Sequence, residues 1–274
     1  MEVTHESGFQ LEGKAAELYE MQKVPSMFAP LADATINCIN ILENDIILDA
    51  ACGTGILARK LRRKLGSDYK IVGADLNKNM IQVAQSLNNN VADPCEWHVA
   101  DIYDLPFNSE TFSLVFCQQG IQYFPDKNRA LLEVYRVLKK GGRIVLTVWC
   151  KNSIFMRSVS RRLSDSISEE VGSKALAPFS YNGELLEPIL SKIGFCDFSV
   201  KKLTVNRIIS STKDSIADEL MSLPIAESIM HKGKKIFRSL VEGILEDMEG
   251  YMSGKNIVTP QDTLLIQARV RNKV

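Results

Sequence analysis

Surplus charge of either sign is missing from this 274-residue chain, which carries 33 Lys and Arg against 33 Asp and Glu. Without a basic excess there is no long-range field to draw it onto a phosphate backbone, so nucleic acid is not an expected partner. Long apolar runs are missing too, and nothing approaches the roughly 20 residues of a membrane-spanning helix. The opening residues, MEVTHESGFQLEGKAAELYE, hold neither the basic stretch nor the apolar core of a secretory leader. A cytoplasmic protein without an integral membrane segment is expected. Its cysteines (Cys38, Cys52, Cys95, Cys117, Cys150, Cys196) form no C-x-x-C pair, and several lie in apolar runs, which argues for reduced, mostly buried thiols. His5, His98 and His231 lack the spacing and neighbouring carboxylates of a zinc or iron site, so no metal is expected. No repeat at a period of about 20 to 50 residues and no low-complexity tract is present, which sets solenoids and disordered tails aside.

What the chain does have is 45% hydrophobic and 24% charged residues, enough to bury one sizeable core. Short apolar runs rich in β-branched residues at 46–50, 70–74, 96–100, 112–117 and 143–149 read as buried parallel strands. Helical spacing over 56–65, 77–87 and 128–138 fills the gaps, with Asn77 suited to an N-cap and Gly141-Gly142 to a stop. Such alternation builds right-handed βαβ units whose ligands sit outside the carboxyl ends of the strands, here just after Ala50, Ala74, Ala100 and Cys117. Beyond Trp149 the pattern changes to a polar helix over 155–171, a helix over 182–193, a strand over 198–209, a long helical stretch over 215–252 and a strand over 263–270. The last two strands are expected to pair antiparallel. One domain is expected, with a cofactor-binding core of about 43–150 completed by about 182–209 and 262–271. A cap over the substrate side would come from about 1–42, 151–181 and 210–256.

The strongest local signal is Ile46-Ile47-Leu48-Asp49-Ala50-Ala51-Cys52-Gly53-Thr54-Gly55, a buried strand running into a glycine turn that opens a helix. Gly53-x-Gly55-x-x-Ala58 with Asp75 downstream also satisfies a dinucleotide fingerprint. Asp49 breaks the tie, because a carboxylate beside the helix N-terminus repels a pyrophosphate but attracts the ammonium of S-adenosylmethionine. Asp75 is placed to accept both ribose hydroxyls of either cofactor class. Asp101 follows the third strand, placed to accept an adenine amino group while Ile102 and Met80 sandwich the ring.

With these motifs in view, the chain resembles the class I S-adenosylmethionine-dependent methyltransferases of the ubiquinone and menaquinone biosynthesis type, through ILDAACGTG, VGADLN, ADIYDLPF, FCQQGIQYFPD and LEVYRVLKKGGRIVLTVW over about residues 40–150. The resemblance implies an α/β, doubly wound, Rossmann-like seven-stranded sheet, mostly parallel with the last strand antiparallel; the helical cap expected from the element pattern lies outside it. It implies S-adenosylmethionine contacts for Asp49, Ala51, Gly53, Gly55, Asp75, Leu76, Met80, Asp101 and Ile102, with Gln118 at the methionine end and Tyr19 closing over the cofactor. Gln119 and Tyr123 are expected on the acceptor side.

Methyl transfer is an in-line displacement at a carbon activated by the sulfonium, so positioning the acceptor about 3 to 3.5 Å away is the protein's main task. No catalytic base stands out: His231, His5 and Tyr19 are candidates, and His98, inside a strand, reads as structural. The fourth strand ends in Cys117-Gln118-Gln119-Gly120, without the Asn or Asp followed by Pro-Pro-aromatic of amide and exocyclic-nitrogen methylation, and Pro94-Cys95 lies on the wrong strand for cytosine methylation. The basic and apolar helix pattern over 229–248 reads as a packed lid helix, since acids soon reverse its charge. A small, partly apolar acceptor methylated on oxygen or carbon is therefore expected, as in secondary metabolism or quinone biosynthesis, with nitrogen on a small molecule the weaker alternative. The alternatives are a cofactor-binding protein without methyl transfer and an NAD(P)-dependent oxidoreductase.

Overall fold

The computed structural model describes residues 15–87, 94–150, 153–179, 181–223 and 225–271. His5 therefore lies outside the described residues, as does the first part of the expected cap. An N-terminal helical arm comprises α1 (Ala15–Leu18), a π-helical stretch (Tyr19–Phe28) and α2 (Ala29–Asn37). The core follows as β1 (Ile46–Ala50), α3 (Ile56–Leu65), β2 (Lys70–Asp75), α4 (Lys78–Ser86), β3 (Glu96–Val99), β4 (Phe112–Gln118), α5 (Lys127–Val137) and β5 (Leu138–Trp149). Then come α6 (Ile154–Ser166), α7 (Glu169–Leu176), α8 (Leu186–Ile193), β6 (Phe195–Ser210), α9 (Lys213–Met221), α10 (Ala226–Met230), α11 (Lys234–Asp247), β7 (Met252–Ser253) and β8 (Asn256–Val270).

The strands form one sheet in the order β3-β2-β1-β4-β5-β8-β6, with the two-residue β7 paired to β8 as a small eighth strand. β1 to β5 run parallel, and β8 lies antiparallel between β5 and β6. Chain order reverses direction between β1 and β4, which leaves a crevice at their carboxyl ends. Leu48, Val72, Val115 and Ile144 bury one face of the sheet, and Ile47, Ile71, Leu114 and Val145 the other. This explains why the parallel strands read as continuous apolar runs instead of alternating ones. Asp45 just before β1 accepts hydrogen bonds from Ser113 Oγ (2.6 Å) and Arg143 Nη2 (2.5 Å), tying the first strand to β4 and β5.

Several boundaries depart from the sequence reading for local reasons. The helix before β5 ends at Val137 without a glycine, and Gly141-Gly142 lie inside β5 where its register against β4 shifts. The helix expected over 155–171 is two, because Ser168 takes an extended backbone and caps α7, accepting from the Val171 N–H. The stretch over 215–252 holds three helices, the first ending at Met221 and the third opening at Gly233 with φ +88°. β8 starts at Asn256, not 263, so it and the far half of β6 extend past the sheet and floor the cap. Val205, Ile209 and Ile257 on this extension join Phe155, Val159, Leu163, Ile216, Leu220, Leu240 and Ile244 in a separate apolar cluster. No described helix is long and apolar enough to cross a membrane.

Candidate functional site

A cavity of about 540 Å3 opens at the carboxyl ends of β1, β2 and β4 and continues beneath the cap. Every residue expected at the site lines it except Gly55. The two glycines of the turn have separate tasks. Gly53 has φ +56° and a Cβ there would meet nothing within 4 Å, so its bare backbone faces open cavity. Gly55, at φ +82°, opens α3, and a Cβ on it would come 2.1 Å from Trp97 Cη2. Its glycine is thus needed for packing α3 onto the sheet. Ala51 (φ +55°) and Gln119 (φ +59°) also take the left-handed backbone on the cavity wall, at about 1–2 kcal/mol each for an L-residue.

Three carboxylates converge from three successive strand ends. Asp49 is buried at the end of β1, and its Oδ2 accepts the Ala58 N–H of α3 at 3.2 Å. Burial pushes its carboxyl up to about 7; the Ala58 hydrogen bond opposes this and the charge of Asp75 adds to it. Asp75 accepts from the Gly53 N–H and the Asn77 N–H, both at 2.8 Å, yet burial still raises its carboxyl. Asp101 accepts from the Tyr103 N–H at 2.9 Å. Among the described residues none of the three has a salt-bridge partner. Such a wall favours a cationic ligand and opposes a pyrophosphate. Leu76 and Met80 lie beside Asp75, and Ile102 beside Asp101, all on the cavity wall. Two buried oxygens on that wall, Gln118 Oε1 and Thr54 Oγ1, have no hydrogen-bond partner among the described residues, so an incoming amine or hydroxyl finds acceptors there.

The other expected residues divide. Tyr19 lines the cavity from the π-helical stretch with its ring 5.2 Å from Phe28. Burial first, then Tyr123, Asp75 and Glu20, holds its hydroxyl well above the usual range, so it stays a proton donor and is no base at neutral pH. Burial raises Tyr123 in the same way. Gln119 is committed within the protein, since Oε1 accepts the Trp149 N–H at 2.7 Å while Nε2 reaches Thr147 Oγ1 (3.3 Å) and Thr263 Oγ1 (3.0 Å). It clamps β4, β5 and β8 together behind the cavity. His231 is exposed at the end of α10 and away from the cavity, which removes it as a base. His98 pairs with Glu96 at 2.6 Å and meets Phe107 edge-on, a structural role. Cys95 is buried against α3, with Sγ 3.6 Å from the Ala58 carbonyl oxygen.

The cap end of the cavity was not foreseen. Phe28, Met156, Phe179 and Leu223 line it, joined by Lys23 and Arg207. Behind them the buried Glu219 pairs with both cations. Lys23 is 196 residues from Glu219 and the three come from three different elements, but one signal was present. In Leu203-Thr204-Val205-Asn206-Arg207-Ile208-Ile209 alternate residues are buried, and Arg207 shares the parity of Val205 and Ile209. A charge on the inward face of an alternating strand demands a partner.

A family model described as a methyltransferase domain matches residues 48–146, from β1 to β5. The ubiquinone/menaquinone biosynthesis C-methyltransferase of Pectobacterium carotovorum is 29% identical over 185 residues, 62% of this chain and 74% of that protein. Among solved structures, a Haemonchus contortus phosphoethanolamine N-methyltransferase complexed with phosphomonomethylethanolamine and S-adenosylhomocysteine aligns with TM-score 0.60 at 22% identity, over 94% of this chain and 57% of the other. The (4+2)-cyclase SpnF aligns with TM-score 0.54 at 18% identity, over 89% and 81% respectively. With the glycine turn after β1 and the uncompensated acids all inside the matched span, residues 48–146 form a methyltransferase domain of the S-adenosylmethionine-dependent type, and S-adenosylmethionine is its cofactor.

Proposed function

We propose that the enzyme transfers the methyl group of S-adenosylmethionine to an oxygen or carbon of a small, partly apolar molecule enclosed between the sheet and the cap. The observation that carries the cofactor half is the set of carboxylates without counter-ions at three adjacent strand ends. Asp49 would hold the methionine ammonium and Asp75 the ribose hydroxyls, each carboxylate oxygen keeping a lone pair beyond its backbone hydrogen bond. Asp101 would accept the adenine amino group between Ile102 and Met80, while Leu76 and the turn of Ala51 and Gly53 shape the ribose side. Gln118 would receive the methionine end, and Tyr19 would cover it. When bound, the cofactor supplies a methyl already activated by the sulfonium. The protein's own work is orientation and exclusion of water: Tyr19, Phe28 and Phe179 line the cavity, Tyr19 5.2 Å from Phe28, and the buried Trp149 backs Phe28 and Phe179 at 6.2 and 6.3 Å. That lining supports an apolar acceptor body, and Tyr123 borders the same chamber. No histidine lines the cavity among the described residues and the Tyr19 hydroxyl is held protonated, which supports an acceptor whose proton is already acidic or need not leave early. The six free thiols support a reducing, cytoplasmic setting for small-molecule metabolism.

Calorimetric titration with S-adenosylhomocysteine and, separately, NADH tests this. Saturable binding of the homocysteine compound alone is expected, and NADH binding without it would overturn the reading. A cofactor-dependent reaction without methyl transfer is the second reading, favoured by the likeness to a cyclase; release of S-adenosylhomocysteine from S-adenosylmethionine on addition of an acceptor decides between the two.

A further inference from the structure

Arg207 is 1% exposed, stands in β6 and borders the cavity. Its guanidinium carbon lies 4.7 Å from the ring centre of Phe155 and 5.9 Å from that of Phe179, so the fork is held between aromatic faces. One nitrogen, Nη2, is spent on Glu219, while Nε and Nη1 have no partner among the described residues. Lys23 reaches the same Glu219 oxygen from the N-terminal arm and also borders the cavity, whereas Glu219 does not. The anion thus sits behind and the two cations in front. Asp218, which also acts on Lys23, is exposed and takes a hydrogen bond from Gln22. The buried cluster therefore carries two positive charges against one negative.

A buried guanidinium with idle donors is costly unless something completes it. The surplus here is a single charge, which a monoanion balances; a phosphate dianion would leave negative charge facing the Asp49 and Asp75 wall. An idle Arg207 donor and the Lys23 ammonium, both bordering the cavity, can each donate to one oxygen of a carboxylate. Lys23 adds a supporting sign: burial, and secondarily Arg207, lower its ammonium to about 8 in spite of Glu219, so the cluster is short of negative charge.

Building on the methyltransferase reading, we propose that Arg207 and Lys23 form an anion subsite at the cap end of the cavity that grips a carboxylate of the acceptor, leaving another atom of the same molecule to receive the methyl group. A carboxylate so bound is stabilised as a ground-state anion and is a poorer nucleophile, so it serves as the anchor and not as the attacking group. The cavity is then polarised, with acids at the sheet end for a cationic cofactor and cations at the cap end for an anionic acceptor. That polarity fixes which way round the acceptor enters.

The test compares matched probes, 3-phenylpropanoate with 3-phenylpropanamide and octanoate with octanamide, by calorimetry on the full chain with and without saturating S-adenosylhomocysteine. In the native protein at least one acid should bind about tenfold or more tighter than its amide, the value of a charged hydrogen-bonded contact. Arg207→Met should bring acid and amide to within about twofold while S-adenosylhomocysteine affinity stays unchanged. Should Arg207→Met lose its fold, which loss of S-adenosylhomocysteine binding would reveal, Lys23→Met carries the same expectation. Native protein that binds S-adenosylhomocysteine but prefers no acid overturns the subsite and leaves the cofactor assignment standing, as does a folded Arg207→Met that keeps the preference. Native protein without S-adenosylhomocysteine binding overturns the cofactor assignment, and the acid preference measured without the nucleoside then decides the subsite by itself.

Discussion

Asp49 occupies a dry position at the end of β1 with one backbone hydrogen bond and, among the described residues, no cation partner, and that position has a cost in the free protein. Its folded carboxyl is raised to about 7 by burial. A group raised on folding contributes stability that is full below its unfolded value and is lost as pH climbs through about 7. Asparagine keeps the shape and carries no such loss. Asp49→Asn should therefore raise the melting temperature of the ligand-free protein, by about 5 °C near pH 8 and by less near pH 5.5. The same change should weaken S-adenosylhomocysteine by about tenfold or more, since the ammonium loses its counter-charge. Scanning calorimetry at the two pH values with a binding titration checks both halves. A gain that does not grow with pH removes the electrostatic account, and unchanged affinity removes Asp49 from the site.

Between elements, the cap is held by the pairing of α6 with α11. Val159 and Leu163 meet the apolar stripe of Leu240, Val241 and Ile244, and Asp247 at the end of α11 closes the seam. Its carboxylate takes Ser158 Oγ at 2.5 Å, Arg162 at 2.6 and 3.0 Å, and Arg161 at 2.5 Å. Burial pushes its carboxyl upward, but these donors outweigh that and hold it well below the usual range. Stability from such a group is present above its unfolded value and lost as pH falls. Asp247→Asn should thus lower the melting temperature by about 3–6 °C at neutral pH, with the gap to the native protein closing below about pH 3. A gap that persists at acid pH would mean the loss is one of packing. This seam also marks where the sequence stopped being readable. The bounds of β1 and α3 follow from a continuous apolar run and a glycine turn, both local features, and emerge as read. Breaks at Ile167 and at Leu223 depend on how the cap helices fold back on one another, which no window of neighbours encodes. The three acids were legible because each ends a strand; Lys23, Arg207 and Glu219 were not, because only the cap brings an arm, a strand and a helix together.

Across the whole molecule, the N-terminal arm is the member that joins sheet and cap over the cavity. On the core side Glu20 pairs with Arg59 at 2.6 Å and Asp33 with Lys60 at 2.8 Å. On the cap side Gln22 reaches Asp218 at 2.8 Å and Lys23 pairs with Glu219. The span between is the π-helical Tyr19–Phe28, with Pro25 removing one backbone donor, and such wide-turn helices are less favourable than α-helices. A segment with weak internal bonding and anchors at both ends can open locally without unfolding the sheet beneath it. A ligand gripped under Tyr19 adds a third anchor in the middle and should suppress that opening by mass action. Hydrogen exchange should then show S-adenosylhomocysteine slowing amides over 19–28 together with those of the glycine turn, while the interior of β4 and β5, already protected at the global level, stays unchanged. Protection limited to the glycine turn would leave Tyr19 a packing residue of the arm and place the closing element in the cap. Slowing of both segments in step would make the arm the lid, and would explain why the buried Lys23 travels on it: the same movement that covers the cofactor carries one half of the anion grip into place.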